Sequence, residues 1–199
     1  MQWMILCLTL IFCPVFATDF SAIAKKTIPA VVGIMTDDSK GSGFFIRDNG
    51  YILTNTHLLE NANTIEVMTS DQHIIPAKVI QLDSKTDLAV IKVEGSGFPY
   101  LTFGDPDQME IGDLVLSIGY PDSFDLGFVQ SKDIKNIGLF QTENFIKTNA
   151  FIFLGCSGGP LMNPNGEVIG INAVALIDRE GKYLGESLAI SSKLLFQKN

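Results

Sequence analysis

A glycine-rich segment in the last third of the sequence has the residue types and spacing that nucleophilic catalysis by serine requires. It covers residues 155–161 and consists of GCSGGPL. Acyl transfer by serine needs a hydroxyl on a tight loop and backbone N–H groups that converge on the developing oxyanion. Glycines permit such curvature and leave space for a substrate. The segment predicts Ser157 as nucleophile and the N–H groups of Gly155 and Ser157 as oxyanion donors. An ordinary glycine-rich turn is the alternative.

A nucleophilic serine requires a base, and the chain contains two histidines. His57 follows the apolar run 51–56, where a strand gives way to a loop and an imidazole can be held firmly beside a cleft. His73 lies next to Asp71 and Gln72 in a predicted turn, which is typical of a solvated surface histidine. His57 alone would more often be structural. Together with the serine segment it is the predicted general base.

Asp87 is the candidate for the third catalytic position. It stands directly before the apolar run 88–91, where a carboxylate is costly unless it has a partner. We predict that it orients His57 and stabilises the charged imidazole. A surface carboxylate such as Asp83 is the alternative on spacing alone. The order His, Asp, Ser along the chain is nevertheless one that known triads adopt.

These residues lie among short β-type runs that are separated by turn residues. The candidate strands are residues 31–36, 43–47, 51–56, 64–69, 74–82, 88–93, 114–119, 124–130, 145–148, 160–163, 168–177 and 183–190. Strands at this spacing, with almost no helical periodicity, predict an all-β sandwich or paired barrels. A Gly-, Pro- and Asp-rich stretch at 95–112 is the predicted seam between two halves.

The composition and net charge of the chain bear on its size class and on the binding partners that it can have. The chain of 199 residues is 46% hydrophobic, which is enough for the core of one compact domain or two small subdomains. It carries 14 Lys and Arg against 22 Asp and Glu, a net charge of −8, without a basic cluster. We therefore expect no nucleic-acid partner.

The first seventeen residues predict export. They contain no charged side chain, carry an apolar run over residues 4–12 and end in Val-Phe-Ala. This pattern is typical of a secretory signal peptide, cleaved here after Ala17. We expect a periplasmic or secreted protein without a membrane span after cleavage; lipidation at Cys13 is a minor alternative. Only Cys156 would remain, so no internal disulfide can form.

Several segments together resemble the protease domain of the HtrA/Deg family over about residues 22–192. They are residues 41–46 (GSGFFI), 50–57 (GYILTNTH), 86–90 (TDLAV), 111–113 (IGD), 155–161 and 166–172 (GEVIGIN). The resemblance implies a chymotrypsin-like fold of two six-stranded β-barrels, with halves at about 22–98 and 113–191 of a protease domain spanning 18–199. It implies the same triad and a serine endopeptidase that cleaves unfolded or exported polypeptides through an acyl-enzyme. No cofactor or metal is expected.

The family register also places the substrate pocket. It implies a pocket formed by Phe151 and Ile152 together with Gly170, Ile171 and Asn172, and an extended substrate that pairs with the strand near Asn172. A base formed by Phe151 predicts cleavage after small aliphatic residues. Cleavage after Lys or Arg is disfavoured because an ammonium there would lack a buried carboxylate.

The chain departs from the family pattern at several places. Residues 149–154 (NAFIFL) are more apolar than the family's loop, and Cys156 replaces a common Asn. We expect no PDZ domain after Asn199. In pancreatic-type relatives, a freed N-terminus activates the enzyme by forming an ion pair with an acidic residue just before the nucleophile. That position is Cys156 here, so this ion pair cannot form. We therefore expect that removal of the signal peptide alone yields active protein, and that order in the loop at 130–156 controls activity. A homotrimer is implied through N-terminal aromatics such as Phe20.

Two other functions stay open at this point. The first is a catalytically weak peptide-binding or chaperone-like module that keeps the cleft, which the apolar loop at 151–154 would favour. The second is a structural envelope protein with a vestigial triad, anchored by an uncleaved N-terminal segment. The complete set of three catalytic residue types favours the peptidase.

Overall fold

The computed structural model describes residues 19–121, 123–141, 143–153 and 155–196. One α-helix, α1 (Phe20–Thr27), and twelve strands occur within these ranges. The strands are β1 (Val31–Thr36), β2 (Lys40–Phe45), β3 (Tyr51–Asn55), β4 (Ile65–Met68), β5 (Ile74–Asp83), β6 (Leu88–Val93), β7 (Leu114–Gly119), β8 (Ser123–Ile134), β9 (Phe145–Thr148), β10 (Pro160–Met162), β11 (Val168–Ile177) and β12 (Tyr183–Ser191). The predicted signal peptide and the alternative lipidation site at Cys13 lie outside the described residues.

The strands form two closed antiparallel barrels of six. The first has the order β1-β2-β3-β6-β5-β4 and the second the order β10-β11-β12-β9-β8-β7. Closure pairs the strand edges, which an open sheet would leave exposed. The predicted all-β fold of two six-stranded barrels is confirmed.

The apolar residues sort into three buried clusters. One fills the first barrel and one the second, as expected when alternate residues of each strand point inward. The third, which we call the interbarrel cluster, takes residues from both barrels. It includes Val31, Phe44 and Leu53 from the first barrel and Ile118 and Ile171 from the second. Packing across this cluster fixes the cleft between the barrels.

Two strands differ from their predicted bounds by more than one residue at an end. Gly41 and Ser42 have weak strand propensity, yet both pair with β1, so β2 begins at Lys40 and not at residue 43. Residues 131–134, of which the first three are polar, extend β8 because they pair with β9 across two register shifts. In both cases pairing with a neighbour overrides local propensity.

The short N-terminal helix packs onto the barrels. Asp19 caps it by accepting the Ala22 N–H at 3.1 Å, and Lys25 and Lys26 occupy the last turn, where the helix dipole favours cations. Ile23 contacts the interbarrel cluster. No helix within the described ranges is long and apolar enough to cross a lipid bilayer.

Candidate active site

Two neighbouring strands of the first barrel bring His57 and Asp87 together. His57 lies in a 3-10 turn (Thr56–Leu58) that follows β3, and Asp87 directly precedes β6. Because β3 and β6 are antiparallel neighbours, the end of one meets the start of the other. Asp87 Oδ2 lies 2.7 Å from His57 Nδ1, and Asp87 Oδ1 accepts the His57 backbone N–H at 2.8 Å. The carboxylate thus fixes both the ring and its backbone.

The backbone of Asp87 is held in an unusual conformation. Its φ is +59°, in the left-handed region that costs most residues about 1 kcal/mol or more. The Asp87 carbonyl accepts hydrogen bonds from the Thr56 N–H and from Asn55 Nδ2, both at 3.1 Å. Asp87 is only 2% exposed, so its carboxylate is buried among these partners. Such a strained, fully held residue is typical of functional sites.

The serine segment lies against the first barrel. The Ser42 N–H donates to the Ser157 carbonyl at 2.8 Å, and the Ser42 hydroxyl donates to the Gly155 carbonyl at 2.5 Å. A Cβ on Gly158 (φ +86°) would lie 2.1 Å from the Ser42 carbonyl oxygen and 2.4 Å from Thr54 Oγ1. Glycine is therefore required at this position for the close approach of the two barrels.

The Ser157 hydroxyl does not contact the imidazole. It donates instead to the Ala173 carbonyl at 3.0 Å, and no hydrogen bond joins Ser157 to His57 within the described residues. The histidine–aspartate contact is thus formed and the serine–histidine contact is not. Catalytic hydrogen bonds are often open without substrate, and a staggered rotation about χ1 redirects a serine hydroxyl.

Two backbone N–H groups of the serine segment are available. Among the described residues, neither Gly155 nor Ser157 donates its N–H to another protein group. The intervening Cys156 N–H donates to the Phe153 carbonyl at 2.9 Å, and the next, that of Gly158, donates to the Asn172 carbonyl at 2.8 Å. The two open donors are those that the sequence assigns to the oxyanion.

The apolar loop before the serine forms an aromatic cluster. The ring centroid of Phe151 lies 4.1 Å from that of Phe153 and 4.3 Å from that of Tyr183. Ile152 is only 3% exposed, and its N–H donates to Ser187 Oγ at 3.3 Å. Tyr183 donates to, or accepts from, the same Ser187 hydroxyl at 3.1 Å. We call Phe151, Phe153 and Tyr183 the aromatic cluster below.

The other predicted pocket residues lie in the strand core. Gly170, Ile171 and Asn172 belong to β11, which pairs with both β10 and β12. The buried Asn172 amide donates to Ser117 Oγ at 3.0 Å, and its backbone N–H donates to the Gly159 carbonyl. The Ile171 and Asn172 side chains are therefore buried in the barrel.

Comparison with known proteins gives the same framework. Residues 41–171 match the family model of the trypsin-like peptidase domain. The chain is 42% identical over 160 residues to a "Probable periplasmic serine endoprotease DegP-like" of Chlamydia trachomatis, covering 78% of this chain and 32% of the relative. A protein of the same name in Ectopseudomonas mendocina is 41% identical over 163 residues, covering 80% and 34%.

Solved structures agree with these relatives. The HtrA-type protease AlgW with a tripeptide superposes with a TM-score of 0.83 at 33% identity, over 88% of this chain and 60% of that one. AlgW with a decapeptide gives a TM-score of 0.81 at 28% identity, over 88% of this chain and 65% of that one. The chain belongs to the HtrA/Deg family of trypsin-like peptidases. It spans about a third of the length of the curated relatives that it matches.

Within this HtrA-type framework, Cys156 occupies the position before the proposed nucleophile. The residue is 2% exposed, and its Sγ lies 3.1 Å from Ser123 Oγ. Burial raises the pKa of the Cys156 thiol, with only partial relief from the Ser123 hydrogen bond. A protonated, buried thiol is a poor nucleophile. No group of three His, Cys, Asp or Glu side chains in the described part of the chain is arranged to hold a metal ion.

Sequence reasoning missed four residues that shape this HtrA-type site. Ser42, Asp125, Tyr183 and Ser187 all contact the serine loop or its support. Ser42 lies inside the quoted GSGFFI segment, which could have signalled a structural role. The other three lie 26 to 35 residues from their loop partners and share no local pattern with them.

Proposed function

We propose that the chain is a serine endopeptidase that hydrolyses peptide bonds of unfolded or exported polypeptides through an acyl-enzyme. One observation carries the proposal: a buried carboxylate holds His57 by both its ring and its backbone beside a glycine turn that carries Ser157. The DegP-like names of the relatives and their identity to this chain support the same class. A peptide-binding module without catalysis has no need of that costly buried pair.

In the proposed mechanism Ser157 Oγ leaves the Ala173 carbonyl, rotates toward His57 and attacks the scissile carbonyl carbon. Its proton passes to the imidazole, whose positive charge Asp87 stabilises. Collapse of the tetrahedral intermediate breaks the C–N bond, and the leaving amine takes the proton from His57. A water molecule then repeats the sequence and releases the acid. The open N–H groups of Gly155 and Ser157 receive the oxyanion in both halves.

Substrate would lie along β11 as an added strand. The backbone of Asn172 is engaged by Gly158 and Gly159, so pairing with substrate would begin at the next residue, Ala173. The AlgW structures were solved with a tripeptide and a decapeptide, which supports a polypeptide substrate for this chain. A chain without stable structure supplies such a strand most readily.

The aromatic cluster would set the preference for the residue before the cleaved bond. Packing of Phe151 between Phe153 and Tyr183 supports a shallow, apolar pocket that takes Val, Ala or Ile. The Asp125 carboxylate already accepts the Phe151 N–H at 2.6 Å, which leaves a lysine ammonium poorly compensated. A peptide library tests this preference. Dominant cleavage after Lys or Arg would overturn it.

The proposed location is the periplasm or the exterior, as the relatives' names suggest. A homotrimer is proposed on family grounds. Part of Phe20 packs on the chain's own interbarrel cluster, which leaves only its exposed part for a partner subunit. Sedimentation of the purified protein measures the oligomeric state, and a monomer at micromolar concentration would contradict the trimer.

The decisive experiment compares wild type with Ser157→Ala on an unfolded protein substrate and with a fluorophosphonate probe. Turnover should fall on the order of 10⁴-fold or more, and labelling should disappear, while the fold persists. His57→Ala should cause similar damage because nucleophile and base act as a unit. Cys156→Ala serves as the control and should keep its labelling. Loss of labelling in the control alone would refute the serine mechanism and indicate a thiol enzyme, and an unlabelled wild type would indicate a peptide-binding module.

A further inference from the structure

Strand β8 lies under the loop that leads to Ser157. Alternate residues of a strand share one face, and Ser123, Asp125 and Gly127 all contact this loop. Ser123 Oγ meets Cys156 Sγ at 3.1 Å, and Asp125 Oδ2 accepts the Phe151 N–H at 2.6 Å. A Cβ on Gly127 would lie 2.3 Å from the Ala150 nitrogen. The loop is therefore seated directly on β8.

Side chains hold this loop where a strand would use backbone partners. The Ala150 N–H donates to Thr148 Oγ1 at 3.0 Å, and the Ile152 N–H donates to Ser187 Oγ at 3.3 Å. Asp125 receives the N–H between them and is the charged group in this series. Hydrogen bonds to a carboxylate are shorter and about twice as strong as neutral ones. The contact from Asp125 is accordingly the firmest of the three.

The carboxylate of Asp125 has no cationic partner among the described residues. Its charge is compensated by the loop N–H and by solvent, since the side chain is half-buried. A carboxylate that served only to solubilise the surface would not point into the base of the serine loop. Its orientation makes sense if the loop itself is what it stabilises.

We propose that Asp125 is a positioning residue that orders residues 149–153 and thereby sets the Gly155 N–H for the oxyanion. It would do for this chain what an ion pair to a freed N-terminus does in peptidases with an acid before the serine, a position that is Cys156 here. The proposal rests on the proposed peptidase function. It adds that the loop is ordered from β8, by a residue that never touches substrate.

The test compares Asp125→Ala and Asp125→Asn with wild type. The alanine variant removes the acceptor, whereas asparagine keeps a neutral carbonyl oxygen of nearly the same reach. For Asp125→Ala we expect kcat to fall about 10- to 100-fold with KM changed less than about threefold, because only the oxyanion geometry is lost. Asp125→Asn should recover to within about fivefold of wild type. A peptidyl boronate should lose affinity in parallel with kcat.

Asp113→Ala is the matched control. Asp113 Oδ2 also accepts a backbone N–H, that of Glu110 at 2.8 Å, in the same barrel but in an exposed turn. Its kinetics should stay within about twofold of wild type. If Asp125→Ala does not fold, Asp125→Leu fills a similar volume without an acceptor and takes its place.

Amide hydrogen exchange separates this proposal from the function on which it rests. Exchange at the Phe151 amide should accelerate at least about tenfold in Asp125→Ala and not in Asp113→Ala. An active wild type, with kcat and Phe151 exchange both unchanged in Asp125→Ala, would overturn the positioning role alone. An inactive wild type would refute the proposed peptidase function. If the Phe151 amide then still exchanged faster in Asp125→Ala, Asp125 would order the loop without a role in catalysis, which also overturns the proposal.

Discussion

The two walls of the cleft are held by different means. On the first-barrel side, His57 and Asp87 follow from the register of β3 against β6, and backbone groups of Thr56 and His57 fasten the aspartate. On the second-barrel side, the serine loop is held by side chains that arrive from β2, β8 and β12. The base is therefore built by strand pairing, whereas the nucleophile loop depends on single side chains that substitution can remove.

This contrast has a consequence for robustness. A register is shared by many backbone hydrogen bonds, so no single surface change moves His57. The loop at 149–156 loses one of its few supports with each side chain removed. Substitutions in the catalytic residues of the first barrel should therefore abolish turnover and leave the fold ordered. Substitutions in the side chains that support the serine loop should loosen that loop and reduce turnover to a matching degree.

Asp87→Asn should cause the largest loss of kcat among these variants, and it tests the first-barrel wall of the cleft without disturbing the fold. Asparagine tolerates the left-handed φ of +59° and keeps an acceptor, so the fold should persist. Its amide cannot stabilise the charged imidazole and can hold the wrong tautomer, and kcat should fall on the order of 10⁴-fold. Steady-state kinetics beside thermal unfolding measure both properties. Activity within tenfold of wild type would remove Asp87 from the proposed triad.

The features that the sequence predicts lie mostly in the strands and in the first-barrel wall, and those that it does not predict lie mostly in the serine loop and its supports. All twelve strands were predictable because alternation and turn residues are local, and the approach of His57 to Asp87 follows from adjacent strand ends. Asp125 and Tyr183 were not predictable. Each acts on a loop distant in sequence through one side chain, and no spacing rule links residue 125 to 151 or 183 to 151. The absence of a hydrogen bond between Ser157 and His57 was not predictable either, because it depends on a single side-chain rotamer.

Ser42→Ala tests the second wall at its contact with the first barrel. The buried Ser42 hydroxyl donates to the Gly155 carbonyl and accepts the Tyr120 N–H at 2.9 Å. Its loss leaves two part-buried groups without this partner, at a cost of about 1–3 kcal/mol in the free energy of unfolding. We expect kcat to fall about tenfold or more as the Gly155 peptide loosens. The exposed Ser70→Ala is the control, and equal losses in both variants would contradict this role.

Acid should loosen another loop of the second barrel. Glu143 is 9% exposed, and its carboxylate accepts the N–H groups of Ile137 and Leu139, both at 2.6 Å, and of Phe140 at 3.0 Å. Burial alone would raise the pKa of Glu143, but the N–H donors outweigh it and hold that pKa below its usual range. Because the pKa of Glu143 is lower in the folded state, the ionised carboxylate stabilises the fold at pH values above its pKa in the unfolded chain, about 4.3. This stabilisation is lost as the pH falls through the pKa of the folded state.

The measurement is the free energy of unfolding of wild type and Glu143→Gln between about pH 7 and pH 3. Wild type should be more stable at neutral pH by about 1–3 kcal/mol, and the gap should close below the unfolded pKa. Loop exchange at Ile137 and Leu139 should rise over the same range. A gap that stayed constant with pH would show that the carboxylate charge does not support this loop.

The smallest effects should come from the aromatic cluster, where one pair of variants separates pocket shape from loop support. Phe151→Ala removes the proposed pocket base and should widen cleavage toward Leu and Phe, with a shift in kcat/KM ratios of about tenfold, the size of one or two methylenes. Tyr183→Phe keeps the ring against Phe151 and removes only the hydroxyl that contacts Ser187. It should leave the preference unchanged and lower kcat less than about threefold. If the tyrosine change altered the preference and the alanine change did not, Phe151 would be core packing, and the pocket would lie on the Tyr183 side of the loop.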